Sequence, residues 1–274
     1  MLKSSHFAYT NMVTPKIEAE EPALRLAVLI DADNAQAAVI EGILGEVARF
    51  GEATVKRIYG DFTSPHSASW KKVLQKYAIK PVQQFAYTTG KNATDCTLII
   101  DAMDLLYTRR FDGFCLVTSD SDFTGLATRI REEGLVVLGF GEQKTPDAFR
   151  SACNKFVLTE VLRPAPAESI PPAAKPEPTV APALPLAAAV TPAAAPSFPQ
   201  DFMLSALDQS SDENGWAHLG TFGSYLTKLQ PDFDSRVYGF RKLSDLVRSR
   251  QDIFVTEERA VPGQAQKQLY LKPR

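Results

Sequence analysis

Aspartates cluster at two points of the chain, each time at the end of an apolar run. In LIDADN the run at 24–30 leads into Asp31, and in LVTSDSD the run at 114–117 leads into Asp120 and Asp122. Carboxylate oxygens are ligands that Mg²⁺ prefers, and a bound Mg²⁺ keeps positions open for water and phosphate. These residues therefore predict metal-assisted hydrolysis of a phosphodiester.

A third carboxylate lies in NATDCTLIIDAMDLLYTRR, which has the spacing of a long helix over 92–110. Asp95 is one turn inside this helix, and steps of three and four residues from it reach apolar positions: Leu98, Ile99, Ala102 and Leu106. Asp95 therefore lies on the core-facing stripe, where a carboxylate is costly unless it is paired or binds a metal. We predict that Asp31, Asp95 and Asp120 hold Mg²⁺. Asp122 is predicted to hold a second ion or to accept the proton of the attacking water.

These aspartates also have purely structural interpretations. Asp120 or Asp122 can cap the first turn of the helix that follows, and Asp33 is a typical turn residue. Asp101 lies about 240° around the long helix from Asp95, which favours a role outside the pocket. Other chemistries lack their residues, because the GFG tripeptide has neither the lysine nor the spacing of a phosphate loop and the three histidines are scattered.

Strand-like apolar runs alternate with segments of helical spacing in the first part of the chain. Strands are predicted at 24–31, 53–61, 79–87, 113–119, 135–141 and 155–162, and helices at 35–50, 68–78, 92–110, 122–133 and 146–153. Strands that are apolar throughout are buried on both faces, which is typical of a parallel sheet covered by helices. We therefore predict an α/β fold with a doubly wound, mostly parallel sheet. If the first and fourth strands are neighbours, Asp31 and Asp120 meet at the carboxyl edge of the sheet.

Composition divides the chain into four segments. Residues 1–22 lack an apolar core and are predicted to be a flexible tail, followed by the α/β domain at 23–162. Residues 163–200 hold eleven of the nineteen prolines, interleaved with alanine, which favours an extended linker. Residues 201–274 predict a small winged-helix-like domain with a turn at Pro262-Gly263 between two short strands. Its helices are predicted at 201–211, 218–231 and 238–250.

The chain of 274 residues has a net charge of −2 and a pI near 6.0, so no global basic field indicates nucleic-acid binding. An RNA site must then be local. No apolar run reaches the roughly 18 residues of a membrane-spanning helix, and the three cysteines lie in apolar stretches without a CxxC pair. We therefore expect buried thiols, a reducing compartment and a cytoplasmic protein without a membrane partner.

The motifs LIDADN, TDCTLIIDAMD and TSDSDFTGLATRIREEGLVVLGFG resemble the NYN domain, LabA-like branch, of the PIN-like nuclease superfamily. The resemblance covers residues 24–162 and implies a metal-dependent ribonuclease whose acidic residues bind Mg²⁺ or Mn²⁺. It places the acidic residues of the family on four positions: Asp31, Asp95, Asp120 and Asp122. It also implies that Asn34 orients the first acid or the substrate and that Ser119 hydrogen-bonds phosphate. In one departure, Ala32-Asp33 replaces the usual glycine and adds negative charge near the pocket.

The stretch GWAHLGTFGSYLTKLQPDFDSRVYGFRKLSDLVRSRQDIFVTE resembles the LOTUS (OST-HTH) domain through GW, P-x-F-D and YGFRKLSDL. Such domains are similar to winged helices and are associated with RNA or with protein partners. Independently, basic and aromatic residues are interleaved here, which suits phosphate contact and base stacking: Arg236, Tyr238, Arg241 and Lys242. The alternative is that Tyr238, Phe240 and Leu243 form a core face. In the first domain, Lys91 is predicted to bind the RNA substrate.

Two functions are consistent with this sequence. The preferred hypothesis is a metal-dependent ribonuclease whose tethered C-terminal domain captures RNA. In that hypothesis the linker raises the local RNA concentration without fixing the geometry of the two domains. The alternative is a catalytically inactive adaptor that binds RNA or protein. The acid set is complete, which favours the enzyme.

Overall fold

The computed structural model describes residues 23–63, 68–85, 93–163, 198–260 and 267–274. The predicted tail, most of the predicted linker, Lys91 and the Pro262-Gly263 turn lie outside these ranges. Within them the chain forms two folded regions, one on a six-stranded sheet and one on a three-stranded sheet.

The first region is built on six parallel strands: β1 (Leu24–Asp31), β2 (Gly51–Gly60), β3 (Lys80–Gln83), β4 (Gly113–Val117), β5 (Val136–Gly141) and β6 (Lys155–Leu158). Their order in the sheet is β3-β2-β1-β4-β5-β6, which is the doubly wound order. The predicted α/β fold is confirmed, and β1 and β4 are neighbours. The third strand ends at Gln83 and is shorter than predicted.

Helices cover both faces of this sheet: α1 (Ile40–Val47), α2 (Ala68–Tyr77), α3 (Ala93–Tyr107), α4 (Thr124–Glu132) and α5 (Asp147–Ala152). Alternate residues of β1 point to opposite faces. Leu29 joins the core formed with α3 and α4, whereas Ile30 joins the core formed with α1 and α2. Because each central strand is buried on both sides, the strands are continuous apolar runs in the sequence.

The second region contains α6 (Gln200–Ser210), α7 (Leu219–Leu229), α8 (Leu243–Ser249), β7 (Ala217–His218), β8 (Phe254–Arg259) and β9 (Gln268–Pro273). The strands form an antiparallel sheet in the order β7-β9-β8. The shared core includes Met203, Phe222, Leu246 and Phe254. A small C-terminal domain of three helices and a short sheet is therefore confirmed, with β7 as a strand that the sequence analysis did not predict.

The start of the last predicted helix was wrong. The helix begins at Leu243 and not at residue 238, because a 3-10 turn over Ser235–Tyr238 ends at Gly239. Gly239 has a φ of +85°, a left-handed conformation that glycine adopts without the steric cost of a side chain. The basic residues of this stretch therefore lie on a turn, a short connection and a helix.

The expectation that all three cysteines are buried was also wrong. Cys115 and Cys153 are buried, but Cys96 is exposed. The position of Cys96 on α3 differs from those of Leu98 and Ala102, which face the core of that helix. Across the described ranges, no helix is both long and apolar enough to cross a membrane.

The second region is docked against the outer edge of β6. The backbone N–H of Phe156 donates to the carbonyl of Pro231 at 2.9 Å, and Lys155 Nζ donates to the carbonyl of Phe233 at 2.8 Å. The Arg150 guanidinium pairs at 3.1 Å with Asp232, which lies between Pro231 and Phe233. The expectation that the linker leaves the geometry of the two domains open was therefore wrong, because these contacts hold one domain on the other.

Candidate active site

The carboxyl edge of β1 and β4 brings two of the predicted acids together. The register pairs Ile30 with Val117, so Asp31 and Thr118 come next, side by side. Thr118 Oγ1 donates to Asp31 Oδ2 at 2.9 Å and accepts from the backbone N–H of Asp120 at 3.1 Å. One hydroxyl group thus links the two acidic segments.

Asp31 is fully buried, with an exposed fraction of 0%. Besides the Thr118 hydroxyl, its oxygens accept from the backbone N–H of Asp33 at 3.0 Å and from Asn34 Nδ2 at 2.8 Å. Burial raises the pKa of Asp31, the three hydrogen bonds lower it, and the charge of Asp33 raises it further. Three donors from three residues therefore hold this carboxylate in one orientation.

Asp95 lies in the first turn of α3 and is half-buried. Burial raises its pKa to about 6, and the negative charges of Asp31, Asp120, Asp33 and Asp122 contribute to the increase in that order. α3 packs against β1 and against the 3-10 turn Ser121–Phe123, so charges of both acidic segments act on Asp95. One shared pocket for Asp31, Asp95 and Asp120 stays a prediction.

The aspartates of this site differ from Asp101 in their charged surroundings. Among the described residues, no lysine or arginine forms an ion pair with Asp31, Asp95 or Asp120. Asp101 on the same helix has the opposite surroundings, since it accepts from both Arg57 and Tyr59. Two acids of one helix, Asp95 and Asp101, thus have opposite electrostatic surroundings among the described residues.

The donor set can be compared with the needs of a metal ion. Oxygen donors and unrelieved negative charge suit a hard divalent cation. In the part of the chain that the structure describes, no three Asp, Glu, His or Cys side chains form a ready-made metal-binding group. Mg²⁺ usually keeps several waters and takes only one or two carboxylates directly. The residues therefore fit such an ion in charge and donor type.

Asp120 also has the structural role that the sequence left open. Its Oδ1 accepts from the backbone N–H of Asp122 at 2.9 Å and caps the 3-10 turn Ser121–Phe123 that precedes α4. Capping uses one of the two oxygens of this carboxylate. Asp122 itself is exposed at the mouth of the site.

The other predicted binding residues lie in different surroundings. Asn34 is bonded to Asp31, and Ser119 is buried with its Oγ accepting from the backbone N–H of Glu142 at 2.9 Å. Lys91 lies outside the described residues. The binding of phosphate or RNA by Asn34, Ser119 and Lys91 stays a prediction.

The predicted RNA-binding residues of the second domain divide into two pairs. Arg236 is engaged in ion pairs with two acids, and Tyr238 is half-buried against aromatic rings. Arg241 and Lys242 are exposed. RNA contact by these four residues stays a prediction, and exposure favours the last two.

Sequence reasoning missed two features of the site. Thr118 links Asp31 to Asp120. The sequence signal for this link was a hydroxyl residue at the end of β4 and an acid at the end of the neighbouring strand β1. Arg57 and Tyr59 on β2 hold Asp101 and so anchor the helix that carries the half-buried acid. No local pattern pairs residues that are more than 40 positions apart.

The chain matches the model of the NYN domain at residues 25–160 and that of the OST-HTH/LOTUS domain at residues 196–265. The chain contains an NYN domain followed by an OST-HTH/LOTUS domain. Both predicted families are confirmed, in the predicted order, whereas the boundaries 23–162 and 201–274 stay predictions. The NYN family is a nuclease family, PIN-like nucleases typically use divalent metals, and an OST-HTH/LOTUS domain suggests RNA binding.

Solved structures resemble parts of this NYN protein. An uncharacterized protein of Nitrosomonas europaea is 61% identical over 34% of this chain and 88% of its own, with a TM-score of 0.28. A Chromobacterium violaceum protein is 30% identical over 31% of this chain and 88% of its own, with a TM-score of 0.24. A Vibrio parahaemolyticus protein of unknown function is 17% identical over 51% of this chain and 94% of its own, with a TM-score of 0.43. None of the curated proteins matches the chain.

Proposed function

We propose that this NYN protein is a ribonuclease that hydrolyses RNA phosphodiester bonds with Mg²⁺ or Mn²⁺ at its aspartate cluster. The observation that carries the proposal is the meeting of Asp31 and the Asp120 segment at the carboxyl ends of β1 and β4, where the Thr118 hydroxyl links them. It is supported by the pKa of Asp95, which burial and the charges of the other aspartates raise to about 6. Repulsion of this kind lowers the stability of the empty site and is relieved by a bound cation. Strongly perturbed carboxylates beside a cleft are also typical of functional sites.

The proposed roles follow from how each side chain is held. Asp31, Asp95 and Asp120 would hold the ion, directly or through its waters. Asp31 is the fixed member of the three because three hydrogen bonds orient it. A divalent ion supplies an activated water and stabilises the charge that builds on the phosphate. Asn34 keeps Asp31 in place, and the exposed Asp122 accepts the proton of the attacking water.

Cleavage of a labelled single-stranded RNA by the full chain tests this proposal, in Mg²⁺, in Mn²⁺ and with EDTA. Asp120→Asn keeps an oxygen to cap the Asp122 N–H but removes the negative charge, so we expect cleavage to slow at least 100-fold. Asp104→Asn removes an exposed charge from α3 and should cleave at the wild-type rate. Cleavage that survives both EDTA and Asp120→Asn would refute the metal mechanism.

A catalytically inactive adaptor is the second candidate function. It is favoured by one observation, that the described residues contain no ready-made group of three metal ligands. Such a protein would bind RNA, or a protein partner through its OST-HTH/LOTUS domain, and leave it uncut. Binding of RNA without cleavage in either metal would support the adaptor and refute the nuclease.

A further inference from the structure

The junction between the two domains is built around buried charges. Arg236 pairs with Glu46 of the NYN domain at 2.9 Å and with Asp234 of its own domain at 2.6 Å. Both acids are buried, at 6% and 9% exposure. Lys155, whose Nζ donates to the carbonyl of Phe233, interacts with the same two acids. Charges from both domains thus neutralise one another, which fixes how the domains sit together.

This junction borders a cleft of about 590 Å³ that neither domain forms alone. The volume is within the range of ligand-binding sites. Two of the charged lining residues are acidic, Glu46 and Asp234. Five are basic, an excess of three positive charges: Arg49, Lys155, Arg236, Arg241 and Lys242.

The excess charge resides on the exposed residues of the lining. Arg236 is already paired with the two buried acids, and Lys155 Nζ donates to a backbone carbonyl of the second domain. Arg49, Arg241 and Lys242 are exposed, and Arg49 shares its partner acid with Arg236. These three cations come from both sides of the junction, so a ligand that contacts all of them must touch both domains.

We infer that this interdomain cleft binds single-stranded RNA, with phosphates on Arg49, Arg241 and Lys242 and a base against Phe50 and Leu243. Cationic residues contact the RNA backbone, while apolar and aromatic lining contacts base faces that only an unpaired strand exposes. A segment made of Asp and Glu alone would satisfy the cations but has no flat ring for this lining. The inference rests on the proposed RNA-directed function and assigns it a site shared by two domains.

The cleft lies at the end of the sheet opposite the aspartate cluster. Val136 and Lys155 line the cleft and begin β5 and β6, whereas Asp31 ends β1 and Asp120 follows β4. A strand of six residues is about 20 Å long. Substitutions in the cleft are therefore expected to weaken RNA binding without altering the residues that cut RNA.

Fluorescence anisotropy of a labelled 20-nucleotide single-stranded RNA, with the full chain in EDTA, tests the cleft. Arg49→Gln and the double variant Arg241→Gln/Lys242→Gln should each weaken binding about tenfold. Each charge removed should also lower the slope of log affinity against log salt by about one. The control is Lys71→Gln/Lys72→Gln, which removes two exposed charges from α2 and should bind as the wild type does.

A second comparison tests whether the site is shared. Arg236→Met removes the ion pair of buried Asp234 and the ion pair that crosses the junction to Glu46, which keeps Arg49. The domains should then separate, and Arg49→Gln should cost no further affinity. If Arg49→Gln and Arg241→Gln/Lys242→Gln both bind RNA with wild-type affinity, the cleft is not an RNA-binding site. This conclusion holds even if the chain cleaves RNA. Competition by a glutamate-rich peptide as strong as by RNA overturns the RNA assignment. If these variants lose affinity for RNA but the wild-type chain cleaves no RNA, RNA binding in the cleft is supported and the proposed nuclease activity is refuted.

Discussion

Replacement of Asp95 by asparagine should stabilise the metal-free protein, although Asp95 belongs to the proposed active site. The pKa of this carboxyl is raised from 3.8 to about 6 in the folded protein. A raised pKa means that the ionised carboxylate is less stable in the folded protein than in the unfolded chain. The cost is therefore absent below about pH 3, grows between about pH 4 and pH 6, and is complete at pH 7.

The size of this cost follows from the same two pKa values. At about 1.4 kcal/mol for each pKa unit, the difference would be worth about 3 kcal/mol in a site screened by no solvent. Asp95 is only half-buried, so solvent and salt reduce the repulsion, and we expect a gain of about 1 kcal/mol. For a chain of this length, that corresponds to an increase in Tm of about 3 °C.

Thermal unfolding in EDTA at low ionic strength measures the effect. Asp95→Asn should unfold about 3 °C above the wild type at pH 7, and about a third of that gain should remain at pH 4.5. Added Mg²⁺ should raise the Tm of the wild type more than that of Asp95→Asn, because the ion binds only the folded site. A Tm at or below the wild-type value at pH 7, or a gain independent of pH, would refute the convergence of negative charges on Asp95.

Two substitutions on the same helix serve as controls. Asp104 is exposed, so Asp104→Asn should leave the Tm unchanged. Asp101 accepts from Arg57 and Tyr59, so Asp101→Asn should lower the Tm at pH 7. The same chemical change on α3 thus has three expected outcomes, according to the charges around each carboxylate.

Two further predictions concern buried polar contacts. Thr118→Val removes a hydrogen bond to buried Asp31, so the free energy of unfolding at pH 7 should fall by about 2 kcal/mol in urea denaturation. Thr128→Val, whose exposed hydroxyl bonds a carbonyl of its own helix, should change it by less than about 0.5 kcal/mol. Arg236→Met removes the ion pair of buried Asp234 and the ion pair across the junction to Glu46, so it should lower the free energy of unfolding by about 3 kcal/mol in calorimetry. Glu46→Gln should cost less in the Arg236→Met background than in the wild type, and two costs that simply add would contradict the pairing.

The positions of the acids along the elements could be predicted from the sequence. The short, continuous apolar runs before Asp31 and Asp120 predict buried strands of a parallel sheet. The acid that follows each run was therefore expected at the end of a strand. The half-burial of Asp95 followed from the helical spacing of its apolar neighbours. Hydrophobic periodicity carries this information because it is local, and residues within one turn or one strand determine it.

The geometry across the pocket could not be predicted in the same way. The distance from Asp95 to the strand ends depends on how α3 packs on the sheet. Arg57 and Tyr59 set that packing through Asp101, by contacts between residues far apart in the chain. The absence of a ready-made group of three ligands among the described residues also depends on this packing.

The docking of the second domain could not be predicted either, because it also depends on contacts between residues far apart in the chain. A proline-rich linker predicts separation, and the local surroundings of Arg236 predict an exposed cation. Its partner Glu46 lies 190 positions earlier, at the buried side of α1. Only the tertiary structure shows that this cation and this acid satisfy each other, and that the residues left exposed are Arg241 and Lys242.

The two ends of the sheet deal with charge in opposite ways, and this difference separates their functions. At the carboxyl end, burial and the negative charges of Asp31 and Asp120 raise the pKa of Asp95. At the other end, Arg236 and Lys155 neutralise acids across the domain junction, and only the rim keeps an excess of positive charge. Effects of substitutions more than about 10 Å apart usually add. The length of the strands therefore allows binding at one end and cleavage at the other to be weakened independently.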